Sequence, residues 1–270
     1  MKITFLGGGN MANALIGGML DKGVPASAFT VIEINEQNHG PLRERFGVKC
    51  LSTPSPEAFD CDVVLLAVKP QQLRAAVAPF RGKLREQLVI SIAAGIRLSD
   101  LSRWLGGYAR LVRAMPNTPA LIGAGVTGLF ALPGVAETER RGAEKILQAV
   151  GTTLWVNEEA QIDAVTAISG SGPAYAFLLI EAMQQAAADL GFSSAQARQL
   201  SIDTVLGAAK LAQGSEESAA ILRERVTSKG GTTEAALRVM AERGVREAIA
   251  AGALAAAARS RELGEEFGRD

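Results

Sequence analysis

Residues 3–12 read Ile3-Thr4-Phe5-Leu6-Gly7-Gly8-Gly9-Asn10-Met11-Ala12. Four residues of β-type composition run into three glycines, and an apolar-periodic helical pattern follows over residues 11–22, stopping at Gly23. This is the G-x-G-x-x-A form of the dinucleotide-binding turn. Gly7 permits the tight turn, Gly9 lets the backbone approach a pyrophosphate, and Ala12 allows the helix to pack closely on the strand. Asn10 and Met11 open the helix, whose first N–H groups and partial positive charge suit phosphate.

Working outward, short apolar runs recur at residues 30–34, 62–68, 88–92 and 110–115, separated by helical patterns. Continuous apolar strands alternating with helices indicate a parallel sheet covered on both faces. Right-handed crossovers make it an open, doubly wound α/β sheet of the Rossmann type. After Trp155 alanine and helical periodicity take over, with helix stops at Gly191 and Gly214 and a turn at Gly230-Gly231. The expected organisation is a dinucleotide-binding domain over residues 1–157 and an all-helical domain over 158–270, with the boundary near Val156–Glu159. Small alanine side chains bury little area each, so the helical half is expected to complete its core in a homodimer, through helices from Ala174 onward.

Composition excludes several classes. The chain has 270 residues, 28 Lys+Arg and 28 Asp+Glu, with 48% hydrophobic residues. That balance leaves no basic excess for nucleic acid or a membrane surface, and the apolar content argues against disorder. The one histidine, His39, lies in an expected loop after the second strand, and Cys50 and Cys61 lack CxxC spacing. No metal site and no disulfide framework are expected. Gly7-Gly8-Gly9-Asn10 interrupts the opening apolar run too early for a signal sequence, and a cytoplasmic location is expected.

Further motifs fall at expected strand ends, where open α/β sheets bind ligands. Glu33-Ile34-Asn35 follows the second strand. Glu33 lies about twenty residues past the fingerprint, where an acid takes the ribose hydroxyls of NAD, or else it is a solvated strand end. Its charge repels a 2′-phosphate, whereas neutral Asn35 accepts one, so both NADH and NADPH stay open. Ala67-Val68-Lys69-Pro70 closes a buried strand. Ile92-Ala93-Ala94-Gly95 offers small residues where backbone approaches a flat ring. Met115-Pro116-Asn117-Thr118-Pro119 brackets a polar pair with prolines, which fix a rigid loop. In the helical half, Ser169-Gly170-Ser171-Gly172-Pro173-Ala174-Tyr175 reads as a helix interruption with Pro at a new start, one turn after Thr166. Val226-Thr227-Ser228-Lys229-Gly230-Gly231-Thr232-Thr233-Glu234 reads as a flexible turn with hydroxyl N-caps whose N–H groups suit a small carboxylate. Glu234 opposes an anion there unless it points outward.

These segments resemble the pyrroline-5-carboxylate reductases over essentially the whole chain, with 226–237 the most specific. The resemblance implies reduction of 1-pyrroline-5-carboxylate to L-proline, the last step of proline biosynthesis, by hydride from NADPH or NADH. It also implies a Rossmann domain, a helical dimerisation domain and, in many members, rings of dimers. The site it implies has the dinucleotide on Gly7, Gly9, Asn10, Met11, Ala12, Glu33, Asn35, Ala67, Val68, Lys69, Pro70, Ile92, Ala93, Ala94 and Asn117. The substrate carboxylate falls to Ser228, Gly231, Thr232 and Thr233, and Thr166 donates toward the ring nitrogen. Two departures stand out. Lys229 replaces the family's usual proline, and the acid Glu33 replaces small polar or basic residues, so the resemblance favours NADPH where the local charge favours NADH.

Other readings remain. A hydroxyacid dehydrogenase of the related two-domain type needs a base, commonly lysine, and no lysine lies between Lys145 and Lys210. A general imine reductase has no use for a carboxylate-binding Gly-Gly-Thr-Thr turn, nor has a redox sensor that binds dinucleotide without turnover.

Overall fold

In the computed structural model, which describes residues 1–269, β1 (Ile3–Leu6) leads through the glycine turn into α1 (Asn10–Asp21). Next come β2 (Phe29–Ile32), α2 (His39–Phe46), β3 (Lys49–Leu51), β4 (Val63–Leu66), α3 (Pro70–Val77) and β5 (Leu88–Ser91). Then follow α4 (Leu98–Trp104), β6 (Leu111–Met115), β7 (Gly125–Ala131), α5 (Glu137–Leu147) and β8 (Gly151–Trp155). The strands form one eight-stranded sheet in the order β3-β2-β1-β4-β5-β6-β7-β8. Every neighbouring pair is parallel except β6 and β7.

Strand side chains alternate between two cores, as a period of two requires. Ile3, Phe5, Val63 and Leu65 join Leu15 and Ile16 of α1, Leu42 of α2 and Ile146 of α5. Leu6, Val64 and Leu66 join Leu73 of α3 and Leu98 and Leu101 of α4 on the other face. The central strands β1, β4 and β5 are therefore apolar on both sides, with Thr4 and Ser91 the buried exceptions, because both faces are covered.

In the sheet and the helices packed on it, the sequence reading and the structure differ in four places. β3, β7 and β8 were not among the expected strands, and β7 makes the sheet mixed rather than purely parallel. His39 lies in no loop: it opens α2 and is buried.

The helical half comprises α6 (Gln161–Val165), a π-helical turn over Thr166–Gly170, α7 (Gly172–Asp189), α8 (Ser194–Gln213), α9 (Ala219–Arg225), α10 (Thr232–Glu242) and α11 (Val245–Gly268). By contact the chain divides into Met1–Ser171 together with residues from Ala255 onward, and Gly172–Leu254. The end of the strands near residue 157 and the edge of the compact unit thus fall at different places. Within the first unit, Arg113 on β6 is 3% exposed and pairs with Glu159 at 3.2 Å and Asp163 at 3.3 Å. Ser260 of α11 donates to the same Asp163 oxygen at 2.8 Å. This buried network ties α6 and the end of α11 to the sheet. The second unit has almost no interior: within Gly172–Leu254 only Ala197 and Ser201 are buried. Phe177, Leu178, Leu206, Met240 and Ile249 are exposed. Among the described residues, no helix is long and apolar enough to cross a membrane.

Candidate functional site

The residues expected to hold a dinucleotide fall on one edge of the sheet. Gly7 to Ala12 follow β1, Glu33 and Asn35 follow β2, Ala67 to Pro70 follow β4, Ile92 to Ala94 follow β5 and Asn117 follows β6. All are C-terminal strand ends, the edge where open α/β sheets bind ligands.

The glycine turn has the geometry the motif requires. Gly7 adopts φ +101°, and a Cβ there would lie 2.9 Å from the Ala67 carbonyl oxygen. Its N–H donates to Ile32 O at 2.8 Å. Gly9 caps α1 without a side chain to satisfy the first N–H groups, and the first turn carries no acid. A Cβ on Gly9 would meet nothing within 4 Å. The cradle is open where a pyrophosphate would approach, and its N–H groups and helix dipole match that anion.

Glu33 is fixed by this turn rather than pendent. Its Oε2 accepts from Gly8 N–H at 3.0 Å and its Oε1 from Asn35 N–H at 2.9 Å. Asn35 Oδ1 in turn accepts from Gln37 N–H at 3.1 Å. His39 Nε2 lies 2.6 Å from the Glu33 carbonyl oxygen; a carbonyl only accepts, so the imidazole donates through Nε2. Sequence reasoning missed Gly8 and His39 as supports of this loop. The signal available was weak: a lone histidine six positions past an acid.

Thr166 opens the π-helical turn and is half-buried. Ser171 N–H donates to Thr166 O at 2.8 Å, the five-residue step that defines the turn. The Thr166 hydroxyl donates to Ile162 O at 2.8 Å. With its hydrogen on that carbonyl, the oxygen also keeps acceptor lone pairs. Asn117 is held at both ends of its amide. Nδ2 donates to Ser169 O at 3.0 Å and Oδ1 accepts from Val126 N–H at 2.8 Å.

In the helical unit, Ser228, Gly231, Thr232 and Thr233 sit at the start of α10. Gly231 is the N-cap and no hydroxyl caps the helix, contrary to the sequence reading. Gly231 N–H donates to Ser228 O at 3.0 Å, and Glu234 bends back to accept from Gly230 N–H at 2.6 Å. Glu234 therefore does not point away from the turn. Thr232 and Thr233, as the first helical residues, keep N–H groups without intrahelical acceptors. Lys229 is exposed.

Elsewhere, a depression of about 940 Å³ lies at the opposite, N-terminal edge of the sheet. Its charges pair with one another, Lys2 with Asp60 and Arg110 with Glu139, each at 2.7 Å. Burial pushes the Cys50 and Cys61 thiols up, which keeps them neutral. Among the described residues no cluster of His, Cys, Asp or Glu could hold a metal.

Comparison with known proteins agrees with this geometry. Residues 159–263 match the family model described as pyrroline-5-carboxylate reductase dimerisation, and residues 2–95 match NADP oxidoreductase coenzyme F420-dependent. The pyrroline-5-carboxylate reductase of Pseudomonas aeruginosa is 44% identical over 99% of this chain and 98% of its own. A solved pyrroline-5-carboxylate reductase from Coxiella burnetii superposes with a TM-score of 0.92 at 42% identity, covering 97% of this chain and 98% of that one. The Plasmodium falciparum enzyme, solved with NADP bound, superposes at 0.87 with 26% identity over 98% of each chain. The sheet with its open glycine turn and the helical half thus have full-length counterparts, and the chain belongs to the pyrroline-5-carboxylate reductase family.

Proposed function

We propose that the chain reduces 1-pyrroline-5-carboxylate to L-proline with NADPH, NADH serving as a second donor, and that the residues at the sheet's C-terminal edge and at the start of α10 do the work. The activity follows from family membership; the residue roles are inferred. The observation that supports the part given to Thr166 is the Asn117–Ser169 hydrogen bond. It brings the turn bearing Thr166 to the end of β6, on the edge where the glycine turn lies.

When bound, the dinucleotide supplies a hydride. Gly7, Gly9 and Ala12 admit its pyrophosphate to the start of α1, helped by Asn10 and Met11. Glu33 and Asn35 face its adenosine ribose. Ala67, Val68, Lys69 and Pro70, with Ile92, Ala93 and Ala94, form the surface for its reactive half. Thr232 and Thr233 hold the substrate carboxylate through their free N–H and hydroxyl groups, with the Ser228 hydroxyl beside them; Gly231, its own N–H on Ser228 O, shapes the turn, and Glu234 must release the Gly230 N–H and swing outward when the carboxylate binds.

A cyclic imine needs little acid catalysis, because its nitrogen takes a proton readily and the iminium then draws hydride. Thr166, with its hydrogen on Ile162 O, accepts from the protonated ring N–H and so orients the iminium carbon. The proton is in place before the hydride arrives, and no histidine is required. The helical half, residues 158–270, carries dimerisation and the carboxylate turn, and the dinucleotide domain is 1–157. The working assembly is a homodimer, extending to a ring of dimers, and the enzyme acts in the cytoplasm.

The test follows NADPH and NADH oxidation with pyrroline-5-carboxylate, with a six-membered cyclic imine as control. Oxidation with the five-membered acid is expected; no oxidation of either cofactor would overturn the reading.

A further inference from the structure

We infer that Asn117 is a positioning residue for Thr166, acting on the reaction through the π-helical turn rather than by touching the dinucleotide. The inference rests on the role proposed above for Thr166.

Asn117 is only 9% exposed, and both of its amide atoms are engaged. Oδ1 receives the Val126 N–H of β7 at 2.8 Å, which fixes the flip of the amide, since only the oxygen accepts. Nδ2 must then face Ser169 O, at 3.0 Å. Each atom thus has a partner in the protein, and the pair fixes the side chain between β7 and the turn.

The acceptor is a carbonyl in need of a donor. In an unbroken helix, Ser169 O would take the N–H four residues on, and that residue is Pro173, which has none. Nearby, Ser171 N–H goes to Thr166 O and the hydroxyls of Thr166 and Ser169 return to Ile162 O and Val165 O, at 2.8, 2.8 and 3.0 Å. Asn117 supplies the missing donor from outside the helix.

Packing holds the same contact from both sides. A Cβ on Gly170 would meet Met115 Cε at 2.9 Å, and one on Gly128 would meet Val165 Cγ1 at 2.7 Å. The end of β6 and the middle of β7 thus press on the two ends of the turn, and Asn117 stitches between them. The side chain on Thr166 is placed by this frame. A turn that settles elsewhere by an ångström misaligns the ring nitrogen's partner, and misplacement of that size costs up to about 100-fold in rate.

The decisive measurements are NADPH Kd without substrate, and kcat and KM for pyrroline-5-carboxylate. The proteins are the parent, Asn117→Ala, Thr166→Val and the double variant, each as the full chain. Expected for Asn117→Ala are an NADPH Kd within about twofold of the parent and a kcat/KM lower by at least about tenfold. Because both residues serve one contact, the double variant falls no more than about twofold below the worse single. A tenfold rise in NADPH Kd would instead show direct cofactor contact, and multiplying losses or an unchanged rate would show independence; each overturns the inference. If Asn117→Ala does not fold, Asn117→Asp keeps the acceptor for Val126 N–H, loses the donor to Ser169 O and carries the same expectations. Failure of the parent to oxidise NADPH with this substrate is the separate result that sinks the functional reading itself.

Discussion

The Glu33 carboxylate accepts from Gly8 N–H and Asn35 N–H while His39 grips its carbonyl. A charge held this firmly stays near the ribose end of the site and repels a 2′-phosphate, which narrows the preference for NADPH over NADH without reversing it. Glu33→Ser removes the charge and releases both donors. Its NADPH:NADH ratio of kcat/KM should rise about tenfold, equivalent to about 1.4 kcal/mol, read from parallel assays with the two cofactors. An unchanged ratio would take Glu33 out of cofactor choice. At Thr166 the oxygen is the working atom. Thr166→Val, which keeps the shape, should lower kcat by about 10- to 100-fold, the loss expected when a reacting group is misoriented by about an ångström. Thr166→Ser keeps the oxygen and should stay within a few-fold of the parent. Single-turnover hydride transfer distinguishes this from a change in product release.

Among elements, the junction of β6, α6 and α11 depends on buried charge. Arg113 is matched by Glu159 and Asp163, and Ser260 adds a donor to Asp163. Removing one partner of a buried pair typically costs about 3–5 kcal/mol, because the other charge is left in place. Glu159 remains beside Arg113 in Asp163→Ala, so the lower end, about 3 kcal/mol, is expected. The shift of the denaturation midpoint at unchanged slope reads it; no shift would mean that water replaces the carboxylate. None of this was legible in the sequence, where Arg113 is one polar residue inside an apolar run. What could be read were elements whose signal is local. The turn from β1 to α1 declares itself by glycine spacing, β4 by unbroken apolar residues and β5 by an apolar run with one serine. β7 hid because Gly125 and Gly128 break its pattern, and the reason for Gly128 is a contact with Val165, 37 positions away. β8 hid because its burial alternates only between half-buried and exposed. The candidate site divides the same way. Motif residues were visible one by one, whereas the engaged amide of Asn117 and the backward fold of Glu234 depend on partners that spacing does not reveal.

At the level of the whole molecule, the unit Gly172–Leu254 buries only Ala197 and Ser201, yet it is helical throughout α7, α8, α9 and α10. Helices as short as α9 and α10, of 7 and 11 residues, are marginal alone in water, and helices in proteins draw most of their stability from packing of an apolar face. An exposed apolar surface of this kind marks a surface made to be covered. On α7, Phe177 and Leu178 are 66% and 65% exposed, and the segment lies within the family's dimerisation region. The dimerisation-family match makes a further copy of the chain the expected cover, and the stability of this unit is then expected to depend on protein concentration. Phe177→Asp with Leu178→Asp puts two charges where apolar side chains should meet. Sedimentation should show monomer at micromolar concentration, and far-UV circular dichroism should show lost helix. NADPH Kd should stay near that of the parent, since the glycine turn and the sheet edge belong to the other unit. A variant that remained a helical dimer would place the interface on a different face of the helices.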